Sequence, residues 1–115
     1  MMPSQWVNRQ VWVHIKSVDM RMSYEGLYGL ARAFHSSPRN GDIFLFVSSD
    51  RKRAKALFWS GNGFMILMKR LETGTFAKIF SRGKITPNEL NLFFEGSHQV
   101  EKKLSVEDMT DRFLD

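Results

Sequence analysis

Two apolar runs, Ala54-Lys55-Ala56-Leu57-Phe58-Trp59 and Phe64-Met65-Ile66-Leu67-Met68, stand on either side of Ser60-Gly61-Asn62-Gly63. An Asn-Gly pair between apolar segments is the strongest short-range signal of a β-hairpin, so this stretch limits the rest of the chain to folds built on an antiparallel sheet. Two registers are open. With Asn62 and Gly63 at the centre of the turn, Lys55 faces Arg70 and Arg53 faces Glu72. With Gly61 and Asn62 at the centre, Arg53 faces Arg70. A slip of two residues preserves the pleat, so both registers give the same faces. One face carries Arg53, Lys55, Leu57, Trp59, Phe64, Ile66, Met68 and Arg70. The other carries Ala54, Ala56, Phe58, Met65, Leu67, Lys69 and Leu71. The hairpin is apolar at its tip and basic at its base.

Around it the periodicity changes several times. Val11, Val13 and Ile15 alternate with Trp12 and His14, the period of a half-buried strand. From Tyr24 the apolar residues Leu27, Tyr28, Ala31 and Phe34 fall at helical spacing, with Ser23 as the expected N-cap and Glu25 in the first turn. That helix is expected to end near His35, before the turn chemistry of 36–41. Its interior glycines, Gly26 and Gly29, suggest close packing against a sheet. Ile43 to Val47 is apolar on both faces and reads as a central strand. Thr75 to Phe80 reads as a short strand and 81–84 as a loop. Thr86-Pro87-Asn88-Glu89 has the form of a capping box with proline at the first helical position, and Gly96 is the expected stop. A further weak helix is expected near 105–113, from Val106, Met109 and Phe113. The expected fold is therefore α+β: one domain over 1–96, with an antiparallel sheet of about four to five strands covered by two helices. An acidic tail, 97–115, would carry a third helix.

Composition narrows the chemistry. The chain has 115 residues, enough for a single core, and 43% of them are hydrophobic. Cysteine is absent, and His14, His35 and His98 are too far apart to set two imidazoles on one helix turn, so neither a metal nor a cofactor is expected. The carboxylates before the tail lie in loops, in the capping box or beside bases. Asp19 is expected to pair with Arg21, and Glu72 with Arg70, and no acid cluster of a metal-dependent nuclease is visible. Phosphate-loop, dinucleotide and nucleophile-elbow patterns are missing as well. The chain reads as a binding protein and not an enzyme. No apolar run approaches a membrane span and no signal peptide is visible, so a cytoplasmic location is expected.

The net charge of +5 is unevenly spread. Residues 51–84 hold nine Lys or Arg against one acid, whereas 95–115 hold six acids against three bases. A basic middle attracts polyanions through phosphate neutralisation, and Arg51, Lys52, Arg53, Lys55, Lys69 and Arg70 are the candidate nucleic-acid contacts. Trp59, Phe64, Phe76 and Phe80 interleave with the bases as on a stacking surface, but a domain this small needs its aromatics inside.

Particular stretches also carry a resemblance. Val18-Asp19-Met20-Arg21 before Gly26-Leu27, then Ile43 to Val47, then Lys55 to Trp59 with Gly61 and Gly63, resemble a known family. So do Lys69-Arg70-Leu71-Glu72-Thr73-Gly74-Thr75-Phe76 and Thr86 to Leu90, ending at Glu95-Gly96. Together they are similar to the small second-reading-frame protein, often called TnpB, of the insertion sequence sixty-six family of bacterial transposons. The resemblance marks Asp19, Arg21, Trp59, Gly63, Lys69, Arg70 and Glu72 as family motif positions. It implies an accessory protein of transposition that works with transposon-end DNA, with the element's separate transposase and with its other accessory protein. Departures are Ser60 where the family has an acid, Ile66-Leu67-Met68 where it often has tyrosines, and Ala77-Lys78 where it often has tryptophan-proline. The alternative implied is a protein-protein adaptor without DNA contact, docking through 69–76.

Overall fold

The computed structural model describes residues 6–34, 37–79 and 83–98, in which one five-stranded sheet is covered by a helix on each face. The elements are β1 (Val11–Val13), α1 (Tyr24–Ala31), β2 (Ile43–Val47), β3 (Arg53–Trp59), β4 (Phe64–Arg70), β5 (Lys84–Ile85) and α2 (Pro87–Phe94), with a 3₁₀ turn at Pro38–Asn40. The strand order is β4-β3-β2-β1-β5. The expected α+β architecture is the observed one. The expected tail helix near 105–113 lies outside the described residues.

Pairing is antiparallel except between β1 and β2, which run parallel with Val11 opposite Ile43. Parallel neighbours need a crossover, and the strand-helix-strand order of the first 47 residues is such a unit, with α1 as the crossover helix. β2 sits at the centre and all five of its residues are buried, because both of its faces are covered. Ile43, Leu45 and Val47 point to one side with Val11, Val13, Ala54, Ala56 and Phe58, where Leu90, Phe93 and Phe94 of α2 close the core. Phe44, Phe46 and Leu57 point to the other, against Leu27 and Ala31 of α1. Trp6 is buried in the larger core, edge-on to Phe58 and 6.4 Å from the ring of Phe94.

The hairpin has the register with Gly61 and Asn62 at the turn: Trp59 pairs with Phe64, and Arg53 with Arg70. The Ser60 amide donates to the Gly63 carbonyl across this turn, and Gly61 takes the left-handed φ of 104° that a glycine tolerates at the first central position. The capping box is formed. Thr86 Oγ1 accepts from the Glu89 amide at 3.1 Å, and Glu89 Oε1 accepts from the Thr86 amide at 2.9 Å. Gly96, at φ 83°, follows the helix.

Several expectations need correction. Residues 75–79 are not a strand; they run as irregular chain whose Phe76, Ala77 and Ile79 are buried beneath the sheet, with Phe76 stacked 4.6 Å from Phe93. The fifth strand is Lys84–Ile85, within and beyond the stretch read as a loop. Ser23 occupies the N-cap of α1 without a side-chain bond to it, and the helix proper ends at Ala31. Gly26 and Gly29 are exposed: a Cβ on Gly26 would meet only the side chain of Met22, and one on Gly29 would meet nothing.

Candidate nucleic-acid interface

The loop from β2 to β3 is organised by Ser48 and Asp50. Ser48 Oγ donates to Asp50 at 2.6 Å and accepts from the Arg53 amide, while the Lys52 amide donates to Asp50. Arg51 takes a left-handed φ of 57°, and its guanidinium donates to the Phe76 carbonyl at 3.2 Å. Phe76 returns its amide to the Arg51 carbonyl. Arg51 therefore clamps the irregular 71–79 segment to the hairpin base.

Two further members of the basic set are also structural. Lys55 Nζ donates to the carbonyls of Met20 at 2.8 Å and Met22 at 3.0 Å, fixing the approach to α1. Lys69 Nζ donates to the Phe94 carbonyl at 2.6 Å, placing a cation at the C-terminal end of α2, where unpaired carbonyls and the helix dipole favour one. An ammonium that donates to main-chain carbonyls, two for Lys55 and one for Lys69, is less available to a phosphate. The sequence had grouped these residues with the free ones.

Lys52, Arg53 and Arg70 remain outward and exposed. Arg53 and Arg70 are direct cross-strand partners, and Glu72 lies beyond that pair instead of opposite Arg53. Like charges in this position disfavour each other by some tenths of a kcal/mol. Two carboxylates lie nearby. Asp19 accepts both side-chain and backbone bonds from Arg21, with the closest at 2.7 Å, as the loop salt bridge expected from sequence. Those bonds hold its carboxyl down at about 2, with a smaller contribution from the charge of Arg53. Asp50 is also lowered, chiefly by its bond from Ser48 and then by the Lys52 amide. Both acids are ionised at neutral pH but occupied by these donors. The cleft they share, about 340 Å³, is lined by Asp19, Asp50 and Arg53. Among the described residues no group of three or more His, Cys, Asp or Glu could hold a metal ion.

The remaining family motif positions, Trp59, Gly63 and Glu72, lie on the hairpin and just beyond it. Trp59 and Phe64 are half-buried and pack edge to face at 5.0 Å, and Phe76 is fully buried. Phe76 belongs to the core, whereas Trp59 and Phe64 pack on each other and keep part of their rings at the surface; Phe80 lies outside the described residues. Gly63 supplies the carbonyl that accepts from Ser60, and Glu72 is exposed.

Sequence reasoning missed the edge. β4 is the outermost strand, and Met65, Ile66, Leu67 and Met68 are 50%, 37%, 38% and 49% exposed, covering both of its faces. A long apolar edge strand is a template for pairing with another chain unless something covers it. The unbroken apolar run in the sequence was the signal, but it reads equally well as a buried strand.

No helix among the described residues is long and apolar enough to cross a membrane. No solved structure matches the chain. A curated relative from Sinorhizobium fredii (strain NBRC 101917 / NGR234), uncharacterized protein y4jC, is 32% identical over 93 residues, covering 76% of this chain and 78% of that protein. The family model described as IS66 Orf2 like protein matches residues 9–103, which span the sheet, both helices and the basic hairpin. On the extent of that match, the chain belongs to the IS66 Orf2-like family.

Proposed function

We propose that the protein is a non-catalytic accessory factor of DNA transposition that contacts transposon-end DNA through Lys52, Arg53 and Arg70 while supporting the complex of the element's transposase and its other accessory protein. The family membership supports the process. The cross-strand pair of Arg53 and Arg70 supports the contact, since an anion between two opposed guanidiniums removes their repulsion and uses their forked donors. Each phosphate neutralised on duplex DNA adds about 0.9 to the slope of log affinity against log salt. Replacing Lys52, Arg53 and Arg70 together with alanine is expected to weaken duplex binding and flatten that slope by about two to three units, with the fold intact. Wild-type affinity and slope in this triple variant would refute the contact.

A second reading, an adaptor that docks its partner without touching DNA, is favoured by the exposed edge of β4. An extended segment of the transposase adding antiparallel to this strand would place alternate apolar side chains on Met65/Leu67 and Ile66/Met68, with an acidic residue near Arg70. Met65→Gln with Leu67→Gln is expected to abolish capture of the transposase and leave DNA retention unchanged. Undiminished capture would count against the edge.

A further inference from the structure

At the opposite end of the hairpin from Arg53 and Arg70 lies a cleft of about 280 Å³, lined among others by Arg9, Arg39, Trp59, Ser60 and Gly61. Its size is at the small end for ligand clefts, roughly 300 to 1,000 Å³, so it suits a single nucleotide unit better than a larger cofactor. Three segments distant in sequence build it. Arg9 follows Asn8, whose φ of 66° is left-handed, and its amide donates to the carbonyl of the buried Trp6. Its guanidinium donates to the Asn40 carbonyl at 3.1 Å and lies flat enough on Gly41 that a Cβ there would come within 2.9 Å of it. Gly41, at φ 96°, is favoured by its left-handed backbone conformation, and the exposed Arg9 side chain rests on it. Arg39, on the 3₁₀ turn, lies over the face of the Trp59 ring, 5.5 Å from its centre, and Phe64 packs edge to face with that indole.

The charge of this cleft is unbalanced. Among the described residues neither Arg9 nor Arg39 has a carboxylate partner. The nearest acid in sequence, Asp42, is buried and bonded to the Gln10 amide, the Trp12 indole and the Asn40 amide group, and it forms no ion pair with either guanidinium. Two guanidiniums without a carboxylate partner, beside an aromatic ring in a concave site, match a phosphate with an attached base: their remaining donors fork onto the phosphate oxygens, and the base lies against the indole.

We propose that this cleft binds one nucleotide of an unpaired DNA strand, its phosphate between Arg9 and Arg39 and its base against Trp59. A base stacked within duplex DNA is not free to enter, so the cleft selects single strands or ends. The site is separate from the Arg53 and Arg70 contact and stands or falls without it. The test titrates the full chain with a 5′-phosphorylated 12-nucleotide oligothymidylate, with a duplex of equal length and with thymidine monophosphate. Arg9→Ala with Arg39→Ala is expected to weaken single-strand binding tenfold or more and to flatten its salt slope by about 0.7 to 1.4 units, for one or two phosphates, with duplex binding unchanged. Trp59→Leu is expected to lower single-strand affinity by roughly tenfold. The Lys52, Arg53 and Arg70 triple variant is expected to leave the single-strand result intact. Monophosphate binding as tight as the oligonucleotide, and lost in the same variants, would identify a free nucleotide as the ligand and overturn the strand assignment. Unchanged single-strand affinity in the double arginine variant would overturn the site. A loss there with no effect of Trp59→Leu would reduce it to an anion site and overturn the base contact.

Discussion

Lys55→Met removes an ammonium and keeps most of the stem, which makes it a direct test of whether this lysine is architecture or interface. Its Nζ donates to the carbonyls of Met20 and Met22, more than thirty residues away, and so ties the loop before α1 to the middle of β3. A hydrogen bond to a charged group contributes about 1.5 to 3 kcal/mol net, but these carbonyls are only partly buried, and water would satisfy them in part once the ammonium is gone. A total of about 2 kcal/mol is a reasonable magnitude for the pair, which for a domain of this size lowers the melting temperature by roughly 8 °C. Far-UV circular dichroism on heating measures the shift, and duplex titration over a range of salt shows whether binding changes with it. The expected outcome is a less stable protein with a wild-type salt slope. A melting shift under about 2 °C together with a flattened slope would refute the reasoning and return Lys55 to the phosphate contacts.

Three further outcomes follow from local geometry. Thr86→Ala is expected to lower stability by about 1 kcal/mol, read from the denaturant midpoint at constant m-value, because the Glu89 amide loses its acceptor. Gly61→Ala is expected to destabilise by about 1 kcal/mol through its left-handed φ alone, whereas Gly63→Ala is expected to be near neutral; the reverse order would mean that the turn is centred one residue later. The Asp19 carboxyl is expected to titrate at about 2 by carbon-13 NMR and to rise toward its ordinary 3.8 in Arg21→Gln. Because the folded value is depressed, whatever stability the pair contributes is present above about pH 4 and is lost as the pH falls toward 2; an unmoved midpoint in the variant would exclude the guanidinium as the cause.

What could be seen in the sequence was what depends on near neighbours. The capping box at Thr86 and Glu89, the two-sided burial of Ile43 to Val47 and the faces of the hairpin each follow from a period or a spacing of a few residues. The register did not, since a slip of two changes no face; the backbone at Gly61 decides it. The segment 75–79 was misread because alternation can arise in irregular chain that packs Phe76 and Ile79 inward, and β5 has too few residues to show any period. The candidate interface was half legible. Exposed Lys52, Arg53 and Arg70 are where the charge run placed them, but the partners of Arg51, Lys55 and Lys69 lie 25 to 35 residues away along the chain. Arg9 and Arg39 carried no signal, because only the fold brings them to Trp59.

The contact between Trp6 and Phe94 gives the domain a particular relation to its own synthesis. The first aromatic of the larger core is made long before the last, and at roughly 5 to 20 residues per second the ribosome needs on the order of ten seconds to bridge them. In the last part of that interval, once β4 has been made, β2, β3 and β4 are available to pair while the α2 side of the sheet still has no lid. The nascent chain thus shows an open apolar face beside an unpaired apolar strand. Slow elongation between residues 71 and 94 would lengthen that exposure, and a partner already waiting at β4 would shield part of it, so assembly during translation would favour soluble protein.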